Sequence, residues 1–512
     1  MTTVAAPARW AHLTALVTTA APRPSADVTS PAEGTVVGRV PLGTPDDVAL
    51  AVARARAAQP GWAALPLGRR TAVVRRFADL VLAHEAELLD VCQAESGKSR
   101  VSAFVELSDV VLTAAYYART AATHLRPRRR RGAVPLLTRT VEHHRPKGVV
   151  GVIAPWNYPL TLAVSDAVPA LLAGNAVVVK PDSQTPLSAL ALVRLLREAG
   201  LPDDVLGVVT GPGRELGPAM IDRVDYLMFT GSTATGRTVA RQCADRLIGC
   251  SAELGGKNPA IVLDDADLNR TVDGLAEACF ANSGQLCVSI ERIYVTPGIA
   301  DAFVAAFADR VASMRVGPGP DWDTEVGSLI SAGQLATVTA HVDDAVTKGA
   351  RVLAGGRPLP ELGPLFYAPT VLTDVPDDAA LAREETFGPV VAVYRVSDVD
   401  EAVARANDTE YGLNASVWSR RQGAAVAARL RAGTVNVNEG YAAAWASHDA
   451  PMGGMGISGI GRRHGREGIV KYTEAQTIAE QRLVQVAASG RFAGARYPQL
   501  MRPAVRLLRH LP

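Results

Sequence analysis

Between residues 148 and 254 short apolar runs alternate with amphipathic stretches. "GVVGVI", "AVVVK", "VLGVVTG" and "VDYLMFTG" read as strands, each followed by a helical stretch. Runs that are apolar at nearly every position suit strands buried on both faces, the condition of a parallel sheet covered by helices. The alternation therefore predicts βαβ units with right-handed crossovers. "LTLAVSDAVPALLAG" is predicted as one helix stopped by Gly174-Asn175, and "PLSALALVRLLREAG" as another ending at Gly200. Ligands of such sheets bind beyond the C-terminal strand ends, where "APWN", "VKPDS" and "FTGSTATG" would lie. A second α/β pattern begins near 258 with "PAIVL", "ERIYV", the helix "DAFVAAFADRV" and later "TVNVN". Two α/β domains with a cleft between them are expected. Ahead of them, the first fifty residues read as loops and short strands, and residues 46–124 as helices.

Composition narrows the function classes. With 512 residues, 48% hydrophobic and 20% charged, the chain is a multidomain globular protein and not a disordered one. A net charge of +2 argues against nucleic acid as the main partner, and the basic run "RPRRRR" at 126–131 reads as a solvated surface or a subunit contact. Five cysteines without CxxC spacing argue against a disulfide framework or a zinc site, and no metal is expected. The start of the chain lacks a signal-peptide pattern, and the apolar stretch from Leu160 to Val179 is interrupted by Asp166 and Gly174-Asn175. A cytoplasmic protein with reduced thiols is expected.

Four features carry chemistry. Cys287 follows Gly284-Gln285, a loop-like segment able to present a thiol, although a lone cysteine is ordinarily a small core residue. A thiolate adds readily to a carbonyl and later leaves as a thioester. Glu253 in "AELGGK" is either a surface turn or, beside a cleft cysteine, a general base. Asn157 in "APWNYP" is a turn cap or an oxyanion donor at a strand end. "TGPGRELG" and "FTGSTATG" supply Gly231 and Gly236 for close backbone approach to a pyrophosphate, although neither follows the GxGxxG order.

Together "APWNYP", "VVKPDS", "FTGSTATG", "AELGGKNP", "NSGQLC", "EETFGPV" and "PMGGMGISGIGRRHG" resemble, in order and spacing, the aldehyde dehydrogenase superfamily from about residue 30 to 480. Cys287 lies thirty-four residues after Glu253, the family's base-to-nucleophile step. The resemblance implies an aldehyde dehydrogenase-like α/β fold: two α/β domains with parallel-sheet cores and a small β oligomerisation arm. Residues 1–124 and 146–254 would form the coenzyme-binding domain and 255–470 the catalytic domain. Residues 125–145 and 471–490 would form the arm, leaving 491–512 as a basic tail. It further implies a Cys287 nucleophile, a Glu253 base and an oxyanion held by Asn157 and the Cys287 N–H. The implied coenzyme contacts are Trp156, Lys180, Ser183, Gly213, Gly217, Gly231, Ser232, Gly236, Glu385 and Phe387. Glu474 in "KYTE" matches a proton-relay carboxylate, with a surface ion pair as the other reading. Glu253 argues against an acyl-CoA-forming relative, and the Cys-Glu-Asn set against a non-catalytic member.

Members that prefer NAD carry a glutamate three residues after the lysine, where this chain has Ser183, so NADP is favoured over NAD. The wording is most like actinobacterial succinate-semialdehyde dehydrogenases. Yet Ser165 and Ala281 stand where well-studied enzymes of that activity place two carboxylate-gripping arginines, and Val288-Ser289 follow Cys287 in place of a second loop cysteine. Succinate semialdehyde is the expected substrate, with apolar aliphatic or aromatic aldehydes as the alternative. A homodimer or homotetramer is expected. In the tail, "YPQLMRPAVRLLRHL" reads as packing on a neighbouring subunit, with membrane-surface contact less favoured and only a short helix expected after Pro503.

Overall fold

The computed structural model describes residues 9–134, 137–482, 487–488 and 493–510. Two sheets dominate. The first runs in the order Gly459–Ile460, Gly249–Glu253, Tyr226–Thr230, Val149–Ile153, Ala176–Lys180, Leu206–Val208. All neighbours are parallel except Gly459–Ile460, which pairs antiparallel with Ala252 and Glu253. The strand order reverses between Val149–Ile153 and Tyr226–Thr230, so a crevice opens beyond their C-terminal ends. The second sheet has seven strands, ordered Arg351–Ala354, Thr370–Thr373, Val390–Arg395, Ile290–Val295, Asn258–Val262, Asn414–Trp418, Thr434–Val437. Only its first pair is antiparallel.

The apolar runs became strands because helices cover both faces, and Ala176–Lys180 and Tyr226–Thr230 are buried at every position. Helix Pro186–Glu198 begins on a proline, whose fixed φ suits a first helical turn, and Gly200 follows it at φ +105°. "LTLAVSDAVPALLAG" is not one helix. It breaks into Thr161–Val164 and Ala167–Leu172, because Pro169 has no N–H for the Ser165 carbonyl and its ring crowds that oxygen. One segment also crosses between the halves: Gly459–Ile460, expected with residues 255–470, completes the first sheet.

Thr473–Gln481, Thr138–Pro146 and Arg128–Arg130 form a separate antiparallel sheet. The arginine run thus contributes its edge, with Arg130 bonded to Glu142. Most of Thr473–Gln481 is exposed, and its far edge has no neighbouring strand among the described residues. Residues 483–486 and 489–490 of the expected arm, and 491–492 and 511–512 of the expected tail, lie outside the described residues. The tail holds a helix, Arg496–Leu508, that runs through Pro503, where a break had been expected. The proline removes one backbone donor, and the turns on either side remain helical.

Candidate active site

A cleft of about 300 Å³ opens at the crevice of the first sheet and is closed by loops of the second. Trp156 and Asn157 enter it from the end of Val149–Ile153, Gly231 and Ser232 from the end of Tyr226–Thr230, and Glu253 from the end of Gly249–Glu253. Cys287, Glu385 and Phe387 face them from the second half. Eight residues singled out in the sequence therefore meet in one cavity.

Cys287 sits in a fixed turn. Asn282, Ser283 and Gly284 all have positive φ (51°, 59° and 69°), and a Cβ on Gly284 would lie 2.0 Å from the Gly388 carbonyl, so only glycine fits there. The Gln285 side chain fastens this turn to the next loop, accepting from Ile330 N at 2.9 Å and donating to Ser328 O at 3.3 Å. Asn258 donates to the Cys287 carbonyl at 2.7 Å. The thiol is half-buried, and burial, followed by the charges of Glu253 and Glu385, pushes it up to about 12. Ser289 donates to Ala278 O and Cys279 O, so the residues after the nucleophile are packing groups. The other cysteines are packed as well: Cys92, Cys243 and Cys279 are buried and Cys250 is half-buried.

Asn157 gives one amide N–H to Gln285 O at 3.1 Å, which leaves the second for a ligand. Its own carbonyl receives Lys98 Nζ at 2.8 Å and Asn282 Nδ2 at 3.0 Å. Lys98 is buried against Glu106 at 2.6 Å. Glu253 is 4% exposed, and its Oε1 has no hydrogen-bond partner. Burial raises its carboxyl to about 7 against the opposing charges of Arg463 and Lys471.

Glu385 accepts from Gly256 N at 2.8 Å, and burial with the nearby Glu291 charge raises it to about 8. A Cβ on Gly255 would come within 2.3 Å of its carboxylate, so the second half of "LGG" is shaped around Glu385. Phe387, at φ +53°, meets Trp156 edge-on with centroids 5.4 Å apart. That loop is pinned by a buried pair the sequence reading missed: Glu291 takes Lys257 and the N–H groups of Thr386 and Phe387. Its sequence signal is a charge inside the apolar strand "IERIYV".

The remaining expected coenzyme residues line the adjoining strand ends. Lys180 Nζ donates to Pro181 O and lies 3.8 Å from where a Gly213 Cβ would be. Burial lowers its pKa. Ser183 donates to Gly211 O at 2.9 Å, while Asp182 is turned onto Gln184 N at 2.9 Å. Gly217 lies against Ile153. Ser232 caps helix Thr233–Asp245, leaving its N-terminus toward the cleft, where an anion is favoured. Gly236 differs from expectation. It is buried inside that helix, and a Cβ there would lie 2.3 Å from Leu254, so it serves helix–strand packing and not backbone approach to a ligand. Glu474 is also absent from the cleft lining: it is exposed on the arm, paired with Lys147. A helix N-terminus, a lysine, a hydroxyl and an aromatic-walled crevice fit a dinucleotide.

The sequence profile of the aldehyde dehydrogenase family matches residues 17–478. A Mycolicibacterium smegmatis protein provisionally named succinate-semialdehyde dehydrogenase [NADP(+)] is 56% identical over 488 residues, covering 94% of each chain. A glutarate-semialdehyde dehydrogenase of Pseudomonas putida is 40% identical over 88% of this chain and 93% of its own. Among solved structures, an NADP-dependent enzyme of E. coli superposes with a TM-score of 0.87 at 36% identity, over 91% of this chain and 97% of that one. The chain belongs to the aldehyde dehydrogenase family, and it is an enzyme that oxidises aldehydes.

Proposed function

We propose that the enzyme oxidises succinate semialdehyde to succinate with NADP, NAD being the weaker coenzyme, through a covalent bond to Cys287. The meeting of Cys287, Glu253 and Asn157 in one half-closed cleft carries this reading. Cys287 Sγ bonds to the aldehyde carbon as its proton passes to Glu253. A thiol held near 12 needs such a base, and a carboxyl near 7 is matched to the task. The free Nδ2–H of Asn157 donates to the oxyanion of the thiohemiacetal. When bound, the coenzyme supplies the hydride acceptor that leaves a thioester on Cys287. Glu253 first loses the thiol proton to solvent and then takes one from water, whose oxygen attacks the thioester; the acid is released and the departing thiolate takes that proton back. Glu385, Phe387 and Trp156 orient the nicotinamide end, Lys180 and Ser183 the ribose end, and the helix behind Ser232 the phosphates. No glutamate opposes a 2′-phosphate beside Ser183, and Asp182 is turned onto the Gln184 N–H, which favours NADP. The names of the most similar relatives support the same coenzyme and substrate.

Residues 1–124 and 146–254 would serve as the coenzyme half and 255–470 as the catalytic half. The open edge of Thr473–Gln481 would be the seam of a homodimer or homotetramer in the cytoplasm. A second reading, apolar aldehydes, draws on Ser165 and Ala281, neither of which brings a cation. Initial rates with succinate semialdehyde, glutarate semialdehyde, butanal and benzaldehyde, each with NADP and NAD, test both. The highest kcat/KM is expected for succinate semialdehyde with NADP; a neutral aldehyde ranking first replaces this reading with the second.

A further inference from the structure

A smaller cavity, of about 20 Å³, is enclosed by helix Arg100–Leu125, helix Thr161–Val164 and the Arg463–His464 segment. That is room for roughly one or two oxygen-sized groups. Three of its lining side chains keep a buried polar atom without any hydrogen-bond partner: Thr113 Oγ1, Arg463 Nε and His464 Nδ1. All three residues are at most 9% exposed. Buried polar atoms are ordinarily paired, so three orphans around one cavity point to a partner that enters it. His464 is also held at φ +58°, a conformation other residues than glycine adopt mainly where function requires it.

The chemistry of that partner follows from what is already engaged. Asp109 receives His448 Nε2 at 3.2 Å, the Thr161 hydroxyl and Ser165 Oγ at 3.4 Å. His448 also meets Ala446 O through Nδ1 at 2.9 Å. Asp166 faces two cations, Arg463 and Lys471. The acceptors are therefore taken, and Arg463 and Lys471 balance the charges of Asp109 and Asp166. Each orphan can donate, and Arg463 Nε can do nothing else. Burial pushes His464 down to about 4, so its ring is neutral near neutral pH and brings one N–H. The complement is a small group that offers only acceptors, as the oxygens of a carboxylate do.

Two chains of contacts link the cavity wall to the cleft wall. Tyr158, next to Asn157, lies 6.1 Å from the Trp445 ring, which in turn stands edge-on to His464 at 6.3 Å. Thr230 lines the cleft and accepts from Arg463 at 2.9 Å. Ser165, where the sequence lacks an arginine, is itself part of the cavity wall.

We infer that this cavity seats the carboxylate of a short ω-carboxylated aldehyde, recognised by His464, Thr113 and Arg463 in place of arginines at Ser165 and Ala281. The inference rests on the proposed oxidation of succinate semialdehyde and names the residues that would select it. Asp109, His448 and His464 also lie close enough to hold a cation, their ligand atoms within 4.8 Å of one another, but the fixed charge of Arg463 on the same cavity opposes one.

The test compares succinate semialdehyde with butanal, which has the same four carbons and no carboxylate, and uses succinate as an inhibitor of butanal oxidation. Thr113→Val and His464→Asn are each expected to raise KM for the semialdehyde and Ki for succinate about ten- to a hundredfold, with kcat/KM for butanal unchanged within about twofold. Equal effects on both aldehydes, or succinate inhibition unaltered in both variants, would overturn the assignment. So would a carboxylate preference that EDTA abolishes, which would hand the cavity to a metal. Calorimetric binding of succinate to the enzyme–coenzyme complex reads the cavity without turnover. Failure of the oxidation chemistry, seen as no wild-type butanal activity, is thereby separated from failure of the carboxylate seat.

Discussion

Glu253 and Glu291 are both buried glutamates on sheet strands, yet their surroundings are opposite. Glu291, in the second half, has Lys257 beside it and the N–H groups of Thr386 and Phe387 on its oxygens. Glu253, in the first half, faces the cleft with an oxygen that no group satisfies. A carboxylate fully engaged by its own fold holds a loop in place, whereas one left open keeps its proton affinity high and available for a reaction. Glu291 holds the Thr386–Phe387 turn, and the proposed function gives Glu253 the role of base.

The largest effect that sharpens this contrast is Cys287→Ala. Turnover is expected to fall by at least about four orders of magnitude, while coenzyme binding, followed by fluorescence titration, persists. Next come the two glutamates themselves. Glu291→Gln leaves Lys257 buried without a counter-charge and is expected to destabilise the protein by about 3–5 kcal/mol, read as an earlier urea transition, with KM for coenzyme raised. Glu253→Gln is expected to cut turnover about 10²–10⁴-fold and stall at the thioester, without loss of stability. Burial has raised Glu253 above its ordinary 4.5 to about 7. The folded state therefore binds that proton more tightly than the unfolded chain, and the penalty on the fold is absent below 4.5, grows as pH rises and is complete above about 7. At pH 8 the glutamine variant should unfold no earlier than wild type; an earlier transition would erase the contrast.

A smaller effect is the pH profile. As the proposed base Glu253 would act only when deprotonated, so when deacylation limits turnover kcat should fall about tenfold per pH unit below about 7 and level off above it. That acid limb should vanish in Glu253→Gln and remain in Cys287→Ser if any turnover is left. Smaller still, Ser183→Glu should lower the NADP-to-NAD ratio of kcat/KM about tenfold, since the new carboxylate repels a 2′-phosphate. An unchanged ratio would remove Ser183 from the ribose pocket. Removing residues 491–512 should leave kcat unaltered and loosen the oligomer, measured by sedimentation with and without anionic vesicles. Vesicle binding lost with the tail at constant oligomer size would assign that helix to a membrane surface.

Much of the fold was legible because parallel strands buried on both faces leave continuous apolar runs, and the strand ends told where the cleft opens. Asn157, Glu253 and Cys287 were legible because each carries its chemistry within a short motif. What escaped depends on partners distant in sequence. Nothing in "GGKNP" announces that Lys257 needs Glu291, and nothing in "FVELSD" that Glu106 holds Lys98 under Asn157. The break at Ser165 was hidden because Pro169 acts four residues upstream of itself. Gly236 looked like a phosphate-loop glycine, but its reason is the Leu254 side chain just beyond the strand Gly249–Glu253. His464 and Thr113 were passed over because they lie far apart in the chain and face one cavity only after folding.

The pairing of Gly459 with Glu253 has a consequence for synthesis on the ribosome. The strand that ends in the base emerges roughly 10–40 s before its edge partner, at about 5–20 residues per second. Until then Gly249–Glu253 is an open sheet edge, able to recruit other strands. The Arg463 and Lys471 charges that oppose protonation of Glu253 arrive in the same late segment. A nascent chain thus carries Cys287 long before Glu253 meets those charges, and chains stalled before residue 459 should be both inactive and prone to associate.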